Sequence, residues 1–178
     1  FDSGTPATMS ARSGVTVTDY RVVTPLRMVF SGGLQFGKMG ILSADYELVD
    51  YTTAKIDGDL DNYDDINKNI QTFYKSAGNL RLGGELKLGN LALRAGYAHY
   101  GSPYASGQLN AKASQSILST GFGVRSGNVF FDFAYAYAMR DFRHSMYFAG
   151  FEGDSGVEYY SQLKQNTSRF MATIGFRF

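Results

Sequence analysis

The last ten residues of the chain alternate between two kinds of side chain, and this period of two constrains the fold more than any other feature. One set is apolar and ends on a terminal aromatic residue: Phe170, Ala172, Ile174, Phe176 and Phe178. The other set includes Arg169 and Arg177. Such alternation is typical of a β-strand with one apolar and one polar side. It recurs upstream to about Leu26, which predicts an all-β chain of antiparallel strands.

The alternation divides the chain into seven predicted strands. They are about Val22–Phe36, Ile41–Lys55, Asn79–Leu88, Leu91–Tyr100, Gln115–Ser126, Val129–Arg140 and Thr167–Phe178. The composition supports strands over helices, since the chain has 13 Tyr and 14 Phe. A short helix within Asp61–Lys75 is the alternative to a solvated loop there, because Ile66, Ile70 and Phe73 or Tyr74 recur at helical spacing.

Short and long connections alternate between these strands. Tight turns are predicted at 37–40, 89–90 and 127–128, where glycine and asparagine tolerate positive φ. Long polar segments are predicted at about 56–78, 101–114 and 141–166. If the strands are sequential antiparallel neighbours, every tight turn lies at the same end as Phe178 and every long segment at the other. Outer-membrane β-barrels sort their connections in this way.

Twelve charged residues in the strands lie opposite the apolar side. Those predicted on the polar side are Arg27, Asp45, Glu47, Arg81, Glu85, Lys87, Arg94, Arg125, Asp132, Arg140, Arg169 and Arg177. An Arg or Lys at mid-depth on a lipid-facing side costs roughly 2–4 kcal/mol, so this distribution fits lipid on one side and a polar lumen on the other. A soluble β-sandwich, with a core on one side and water on the other, is the alternative.

These patterns favour an antiparallel transmembrane β-barrel as a single region over residues 1–178. Residues 1–20 are a loop or partial strand, and 21–178 carry the seven strands. Bacterial barrels use an even number of strands, and an unclosed sheet in lipid leaves backbone groups unsatisfied. Either residues 1–20 supply an eighth strand, or an N-terminal half on a missing segment or a separate chain completes the wall. We expect the second, with about half of a fourteen-stranded barrel present here.

Several blocks of this sequence resemble the long-chain fatty acid transporter family of outer-membrane proteins (FadL/TodX type). They are Tyr20–Arg27, Gly40–Tyr51, Leu80–Glu85 and Leu93–Tyr97, with Ser102-Pro103-Tyr104 after them, and the likeness is to the C-terminal half of a Bacteroidetes-like branch. The resemblance implies a fourteen-stranded barrel with an N-terminal hatch that takes up hydrophobic molecules. The last strand, which ends in Phe178, also resembles the C-terminal strand of bacterial outer-membrane β-barrels in general, and this implies that Phe178 is part of the signal read by the barrel-assembly machinery.

The last long segment is unusually apolar for a loop. Its candidate ligand contacts are Phe142, Met146, Tyr147, Phe148 and Phe151. An apolar surface of this kind suits a hydrophobic ligand, and packing between loops is the alternative. Asp57, Asp59, Asp61, Asp64 and Asp65 form an acidic run that does not match a calcium loop, so a solvated segment is expected.

Other chemistry has little support in the sequence. The chain has no Cys and only 2 His, so neither a thiol nucleophile nor a histidine-based metal site is expected. Ser145 beside His144 is the only candidate catalytic pair, but adjacent strand residues point to opposite sides. We therefore expect no enzyme and no cofactor. The expected function is passive uptake of hydrophobic small molecules, fatty-acid-like or aromatic, across the bacterial outer membrane; a porin-like or structural barrel is the alternative.

Overall fold

The computed structural model describes residues 19–58, 63–149 and 157–178. Within these ranges the chain forms nine strands, one α-helix and a 3-10 helix at Tyr51–Thr53. The elements are β1 (Tyr20–Val23), β2 (Leu26–Phe36), β3 (Gly40–Asp50), β4 (Lys55–Gly58), α1 (Tyr63–Phe73), β5 (Ser76–Leu88), β6 (Leu91–Tyr100), β7 (Gln115–Ser126), β8 (Val129–Ala149) and β9 (Val157–Phe176). The prediction of an all-β chain is confirmed.

Seven of the strands form one antiparallel sheet in the order β2-β3-β5-β6-β7-β8-β9. Within this sheet the strands are neighbours in the order in which they occur along the chain, with β4 left out between β3 and β5. The sheet is open: β2 and β9 are its two edges, and they do not pair with each other. The described residues therefore form a seven-stranded wall and not a closed barrel.

The register aligns the apolar stripes of all seven strands on one side of the sheet. One row of directly opposed residues runs Phe36, Gly40, Leu86, Leu93, Phe122, Phe133 and Ala172. The next row towards the long connections lies on the opposite side and runs Gln35, Ile41, Glu85, Arg94, Gly121, Ala134 and Met171. We call these two sides the apolar face and the polar face. A slip of one residue in any ladder would mix them, so the hydrophobic pattern specifies the register.

Three tight turns lie at one end of the sheet, which we call the turn end. Gly37, Gly89 and Gly127 have φ of 55°, 63° and 56°, in the left-handed region where other residues are strained. The C-terminus lies at the same end, because Phe176 pairs with Val129 and the Arg177 N–H donates to the Asn128 carbonyl at 2.7 Å. The opposite end, with the longer connections, is the loop end.

The first predicted strand is interrupted at Thr24-Pro25, and β1 pairs with β4 in a separate two-stranded sheet. Pro25 has no N–H for a ladder hydrogen bond, so the pairing of β2 with β3 ends beside it. On the opposite strand, Asp50 caps the 3-10 helix by accepting from the Thr52 N–H at 3.1 Å. The Thr53 hydroxyl accepts from the Leu26 N–H at 2.7 Å, which joins the two sides of the interruption.

The structure differs most from the sequence prediction at 141–166. Most of this segment is strand, because β8 and β9 remain paired from Val129↔Phe176 to Ala149↔Val157, with a bulge between Ser145 and Tyr147. The predicted loop is wrong over Asp141–Ala149 and Val157–Asn166. In the first long segment, β4 and helix α1 replace part of the predicted loop, and α1 lies within the predicted helical range.

The sheet is a single layer with almost no core. Val49 and Ala77 are the buried apolar residues among those described, at 2% and 5% exposure. By contrast, Phe170 is 72% exposed and Leu34 is 66% exposed. A β-sandwich would bury its apolar side against a second layer, so the described residues do not form that alternative fold. No described helix is both long enough and apolar enough to span a membrane.

Candidate functional site

Near the turn end, the polar face carries a chain of ion pairs that crosses four strands. Glu85 on β5 contacts Lys87 at 3.3 Å and the Arg94 Nε on β6 at 2.6 Å. The Arg94 Nη1 also reaches Asp132 on β8 at 2.6 Å, passing over β7. The sequence predicted that Glu85, Arg94 and Asp132 share the polar side, and the structure shows that Arg94 joins the two carboxylates.

Arg94 reaches across β7 because position 123 has no side chain. A Cβ built on Gly123 would collide with the Asp132 carboxylate and would lie 3.3 Å from the Arg94 Nη1. Gly123 pairs directly with Asp132 and with Ala92, so it lies under the ion pair. Its role is therefore to leave space for this bridge.

A second cluster surrounds Glu47, nearer the loop end. Glu47 is only 7% exposed and accepts a hydrogen bond from Asn79 at 2.9 Å. Its carboxylate also lies 3.2 Å from Arg27 on β2 and 3.9 Å from Arg81 on β5. The carboxylate is thus held from both neighbouring strands, on the side of the sheet where the sequence predicted these charges.

The remaining predicted polar-face residues lie on the predicted side but outside these clusters. Asp45 is opposite Arg81, Arg125 is opposite Phe130, and Arg169 is opposite Ala136. Arg140 lies in the same row as Glu47, and its guanidinium carbon lies 4.9 Å from the centroid of the Phe142 ring. All of these side chains share the polar face with the ion pairs.

The apolar face carries an aromatic cluster across β7, β8 and β9. The Phe122 ring lies 5.7 Å from Phe133, and Tyr135 lies 4.9 Å from Phe170. The Tyr135 hydroxyl also lies 3.1 Å from the Ser168 hydroxyl, towards the loop end. Aromatic rings at such distances contribute packing energy beyond the area that they bury.

The polarity of the two sides exchanges where β8 and β9 extend past the other strands. We call Asp141–Ala149 and Val157–Lys164 the extension. The side continuous with the apolar face carries Asp141, Arg143, Ser145, Tyr160, Gln162 and Lys164. The side continuous with the polar face carries Phe142, His144, Tyr147, Tyr159, Ser161 and Leu163, which is the more apolar set. The bulge keeps Tyr147 opposite Tyr159, and their rings stack at 4.9 Å.

Polar contacts join the β6–β7 connection to the extension. The Asn110 side chain donates to the Arg143 carbonyl at 2.9 Å and accepts from the Arg143 N–H at 2.7 Å, in place of a neighbouring strand. The Ser102 hydroxyl, in a residue 8% exposed, donates to the Asn110 carbonyl at 2.7 Å. These bonds hold the connection against the free edge of β8.

Tyrosines and the helix order the other side of the loop end. Tyr74 stacks between Tyr51 and Tyr104, with ring centroids 6.5 Å and 5.5 Å away. Asn67 on α1 exchanges two hydrogen bonds of 2.9 Å with the backbone of Ile56 on β4. The loop end is therefore a set of connected elements, a feature that composition alone did not predict.

The predicted ligand contacts are only partly brought together. Phe142 and Tyr147 lie on the same side of the extension, and Met146 lies within the bulge and is 65% exposed. Phe148 belongs to β8, but its side chain is outside the described part of the chain, as is residue Phe151. Sequence reasoning counted Tyr159 among the apolar residues of this segment but missed Leu163, because it treated the segment as a loop. The signal was the alternation that continues past Arg140.

The described ranges contain no cluster of metal ligands, and His144 and Ser145 do not pair with each other. No group of three or more His, Cys, Asp or Glu side chains there could hold a metal ion. His144 pairs with Ser161 and Ser145 with Tyr160, which places the two neighbours on opposite sides of the extension. In the acidic run, Asp57 pairs with Arg21 at 2.5 Å, and Asp64 and Asp65 lie in the first turn of α1; Asp59 and Asp61 are outside the described residues.

Comparison of the chain with models of protein families, with curated proteins and with solved structures found no match.

Proposed function

We propose that this chain is part of an outer-membrane β-barrel of FadL type that takes up hydrophobic small molecules passively. The observation that carries the proposal is the continuous apolar face over seven strands, opposed by a polar face with ion pairs. A transmembrane barrel needs this arrangement, with lipid outside and a polar interior. The exposed apolar residues would be solvated by outer-membrane lipid, so the absence of a second layer needs no further explanation.

Strand lengths support a membrane crossing. β2, β3 and β6 have 11, 11 and 10 residues, and β8 has an apolar face from Val129 to Met139 before the polarity exchanges. A transmembrane strand needs about 9–11 residues. We call these segments next to the tight turns the band. The sheet changes where the band ends on the loop side. The pairing of β2 with β3 stops at Leu26, and β6 and β7 are joined there by the connection at 101–114. The β8–β9 pair continues past this level, but its two sides exchange polarity.

The stagger of the turns supports barrel geometry. From the row that contains Phe36, Leu86 and Phe122, the β5–β6 hairpin continues two residues to Leu88. The β7–β8 hairpin continues four residues, from Phe122 to Ser126. The turns thus advance two residues per hairpin, or one per strand. With a rise of about 3.3 Å and a strand spacing of about 4.8 Å, turns in one plane require a tilt of about 35°. Transmembrane barrels have tilts of roughly 35–45°.

The two open edges indicate what must complete the wall. β2 and β9 both run from the loop end to the turn end, because the sheet has seven strands and each is antiparallel to its neighbours. Two copies with the same membrane orientation would meet in parallel ladders, whereas every ladder here is antiparallel. The completing segment needs an odd number of strands whose edge strands run the other way. An N-terminal half of seven strands, with a hatch, meets this requirement.

Hydrophobic uptake is favoured by the aromatic side of the extension, which would face the axis of the barrel outside the membrane. A porin-like barrel is the second candidate, because ion-paired charges line the polar face as they do in a water-filled channel. The two differ in whether the lumen conducts ions.

The test is to express the full-length protein in the outer membrane of Gram-negative cells and follow entry of N-phenyl-1-naphthylamine, an apolar probe that brightens in the membrane interior. We expect faster probe entry than in cells without the protein, and no single-channel conductance for the purified protein in planar bilayers. Steady conductance without faster entry would favour the porin-like alternative. Protein that stays in solution without detergent would contradict the membrane assignment itself.

A further inference from the structure

A cleft of about 510 Å³ borders the side of the extension that is continuous with the apolar face. One wall is the connection at 107–113, and the other carries Asp141, Arg143 and Gln162 of the β8–β9 ribbon. In the proposed barrel this side would face away from the lumen. The cleft would begin just past Met139, where the apolar face of β8 ends. The uptake function gives this outer cleft no role.

Cations outnumber carboxylates around the outer cleft. Lys112 lies on the connection and Arg143 on β8, and Lys164 lies on the same side of β9, two residues beyond Gln162. Asp141 is the one carboxylate among the described residues that line the cleft, and it is directly opposite Lys164. None of the described ion pairs includes Lys112, Arg143 or Lys164. The cleft therefore has an excess of positive charge, which attracts anions.

Arg143 is held by contacts that leave its guanidinium donors open. Its backbone N–H and carbonyl form hydrogen bonds of 2.7 Å and 2.9 Å with the Asn110 side chain. Its guanidinium carbon lies 4.8 Å from the centroid of the Tyr160 ring. Among the described contacts, no hydrogen bond or ion pair uses its guanidinium N–H groups. A planar guanidinium with open donors suits a phosphate group, which accepts two parallel hydrogen bonds from it.

The level of these cations along the strands indicates where the phosphate comes from. Lys164 pairs with Asp141, two residues past Met139, which is a rise of about 7 Å along the strand. The headgroup layer of a bilayer adds roughly 5–7 Å to each side of its hydrocarbon core. In the proposed barrel, Lys164 would therefore lie at headgroup level on the lipid side of the wall. Arg143 would follow one step further out.

We infer that the outer cleft binds the phosphate of an anionic lipid headgroup in the outer leaflet, and that Arg143 and Lys164 determine its affinity. Charge complementarity and the position next to the apolar face both support this occupant. The inference needs the proposed barrel but not the uptake of small molecules. It assigns the connection at 101–114 a function as well, since the connection supplies Lys112 and holds the backbone of Arg143.

The chain provides a matched control for Arg143. The Arg140 guanidinium also lies over an aromatic ring, Phe142, at 4.9 Å. Arg140 belongs to the polar face, on the opposite side of the same strand. Substitution of either arginine removes one positive charge and one cation–π contact, so a nonspecific effect of charge would be the same in both variants.

The experiment titrates the full-length protein in detergent micelles with lipid A, a phosphorylated lipid, and with phosphatidylcholine, which has no net charge. Native mass spectrometry measures the fraction of protein that retains each lipid. We expect lipid A to bind more tightly, and Arg143→Ala to lower its affinity about tenfold through the loss of charged hydrogen bonds. Lys164→Ala should also weaken binding, Arg143→Lys should restore part of it, and Arg140→Ala should leave it unchanged. Excess inorganic phosphate should not displace the lipid. Unheated gels, on which an intact barrel migrates as a compact species, check that each variant is folded.

Equal losses in Arg143→Ala and Arg140→Ala would overturn the inference, as would equal retention of the two lipids or no retention of lipid A. Displacement by inorganic phosphate would also overturn it, because the cleft would then take soluble anions. In each of these cases, faster entry of N-phenyl-1-naphthylamine into expressing cells would show that the uptake function stands and only this site is wrong. Protein that stays in solution without detergent would instead remove the membrane assignment and this site together.

Discussion

The β8–β9 hairpin contains two regions that share strands and register but have opposite polarity. In the band, the side that carries Phe133 and Phe170 is apolar, and the other side carries Asp132 and Arg169. In the extension, the first side carries Arg143 and the other carries the stacked tyrosines. The backbone is continuous between them, so backbone geometry does not explain the exchange. In the proposed barrel, a change of surroundings from lipid to water would explain it.

Alternation of apolar and polar residues identifies a strand. Which of its two sides carries the apolar residues indicates the surroundings of each side. A band of about 9–11 residues with apolar residues outside fits lipid. Beyond it, charged residues on the same side fit water. The polarity of this side of the hairpin therefore changes between Met139 and Asp141, while the strand itself continues.

The largest effect is expected from an arginine on the apolar face within the band. We predict that Ala172→Arg, on the apolar face of β9, destabilises the folded protein by roughly 2–4 kcal/mol, because in the proposed barrel it would place a cation at mid-depth in lipid. Gln162→Arg lies on the same side of the same strand but in the extension, and should change stability by less than about 0.5 kcal/mol. Urea unfolding in vesicles measures both; equal losses would remove the distinction between the regions.

A smaller effect is expected within the polar face. Glu47→Gln removes the carboxylate that meets Asn79 and Arg81. Glu47 also contacts Arg27, but that arginine is exposed and solvent screens the interaction. We predict that the variant loses roughly 1–2 kcal/mol of unfolding free energy in total. Asp45→Asn on the same strand is the control, since none of the described ion pairs includes Asp45. A loss as large in the control would mean that the Glu47 cluster has no specific role.

Removal of one ring from an aromatic pair should affect stability differently in the extension and in the band. Tyr147–Tyr159 in the extension and Tyr135–Phe170 in the band have the same ring separation of 4.9 Å. We predict that Tyr147→Ala costs about 0.5–1.5 kcal/mol and accelerates amide hydrogen exchange only in the extension, since that ribbon can open locally. Tyr135→Ala should lower global stability instead. Faster exchange throughout the sheet in Tyr147→Ala would contradict this.

The smallest effect on stability is expected at the C-terminus. Phe178 follows the end of β9 and its side chain is fully exposed, so its deletion should change unfolding free energy by less than about 0.5 kcal/mol. If it acts as the assembly signal, the same deletion lowers the amount of protein in the outer membrane of expressing cells. An unchanged amount there would remove Phe178 from that role.

Local periodicity in the sequence predicted the sides of the strands and the positions of the turns. It did not predict the full length of β8 or which charged residues pair with each other. The sides of Glu85, Arg94 and Asp132 followed from alternation alone, and Gly37, Gly89 and Gly127 marked the turns. The continuation of β8 past Arg140 was missed because the apolar side exchanges there, which resembles the end of a strand. The partner of each charge depends on register and on the missing side chain of Gly123, and neither is visible along a single strand.

The most direct test of the central claim is a lipid-accessibility scan of β8. The chain has no Cys, so single cysteines from 129 to 145 can carry a nitroxide label in membrane-reconstituted protein. In the proposed barrel, oxygen accessibility, which is high in lipid, should peak at every second residue from Val129 to Met139. Accessibility to a water-soluble nickel reagent should replace it at Asp141 and Arg143. Uniform water accessibility along the apolar face, or a lipid signal that continues through Arg143, would contradict a membrane boundary in this hairpin.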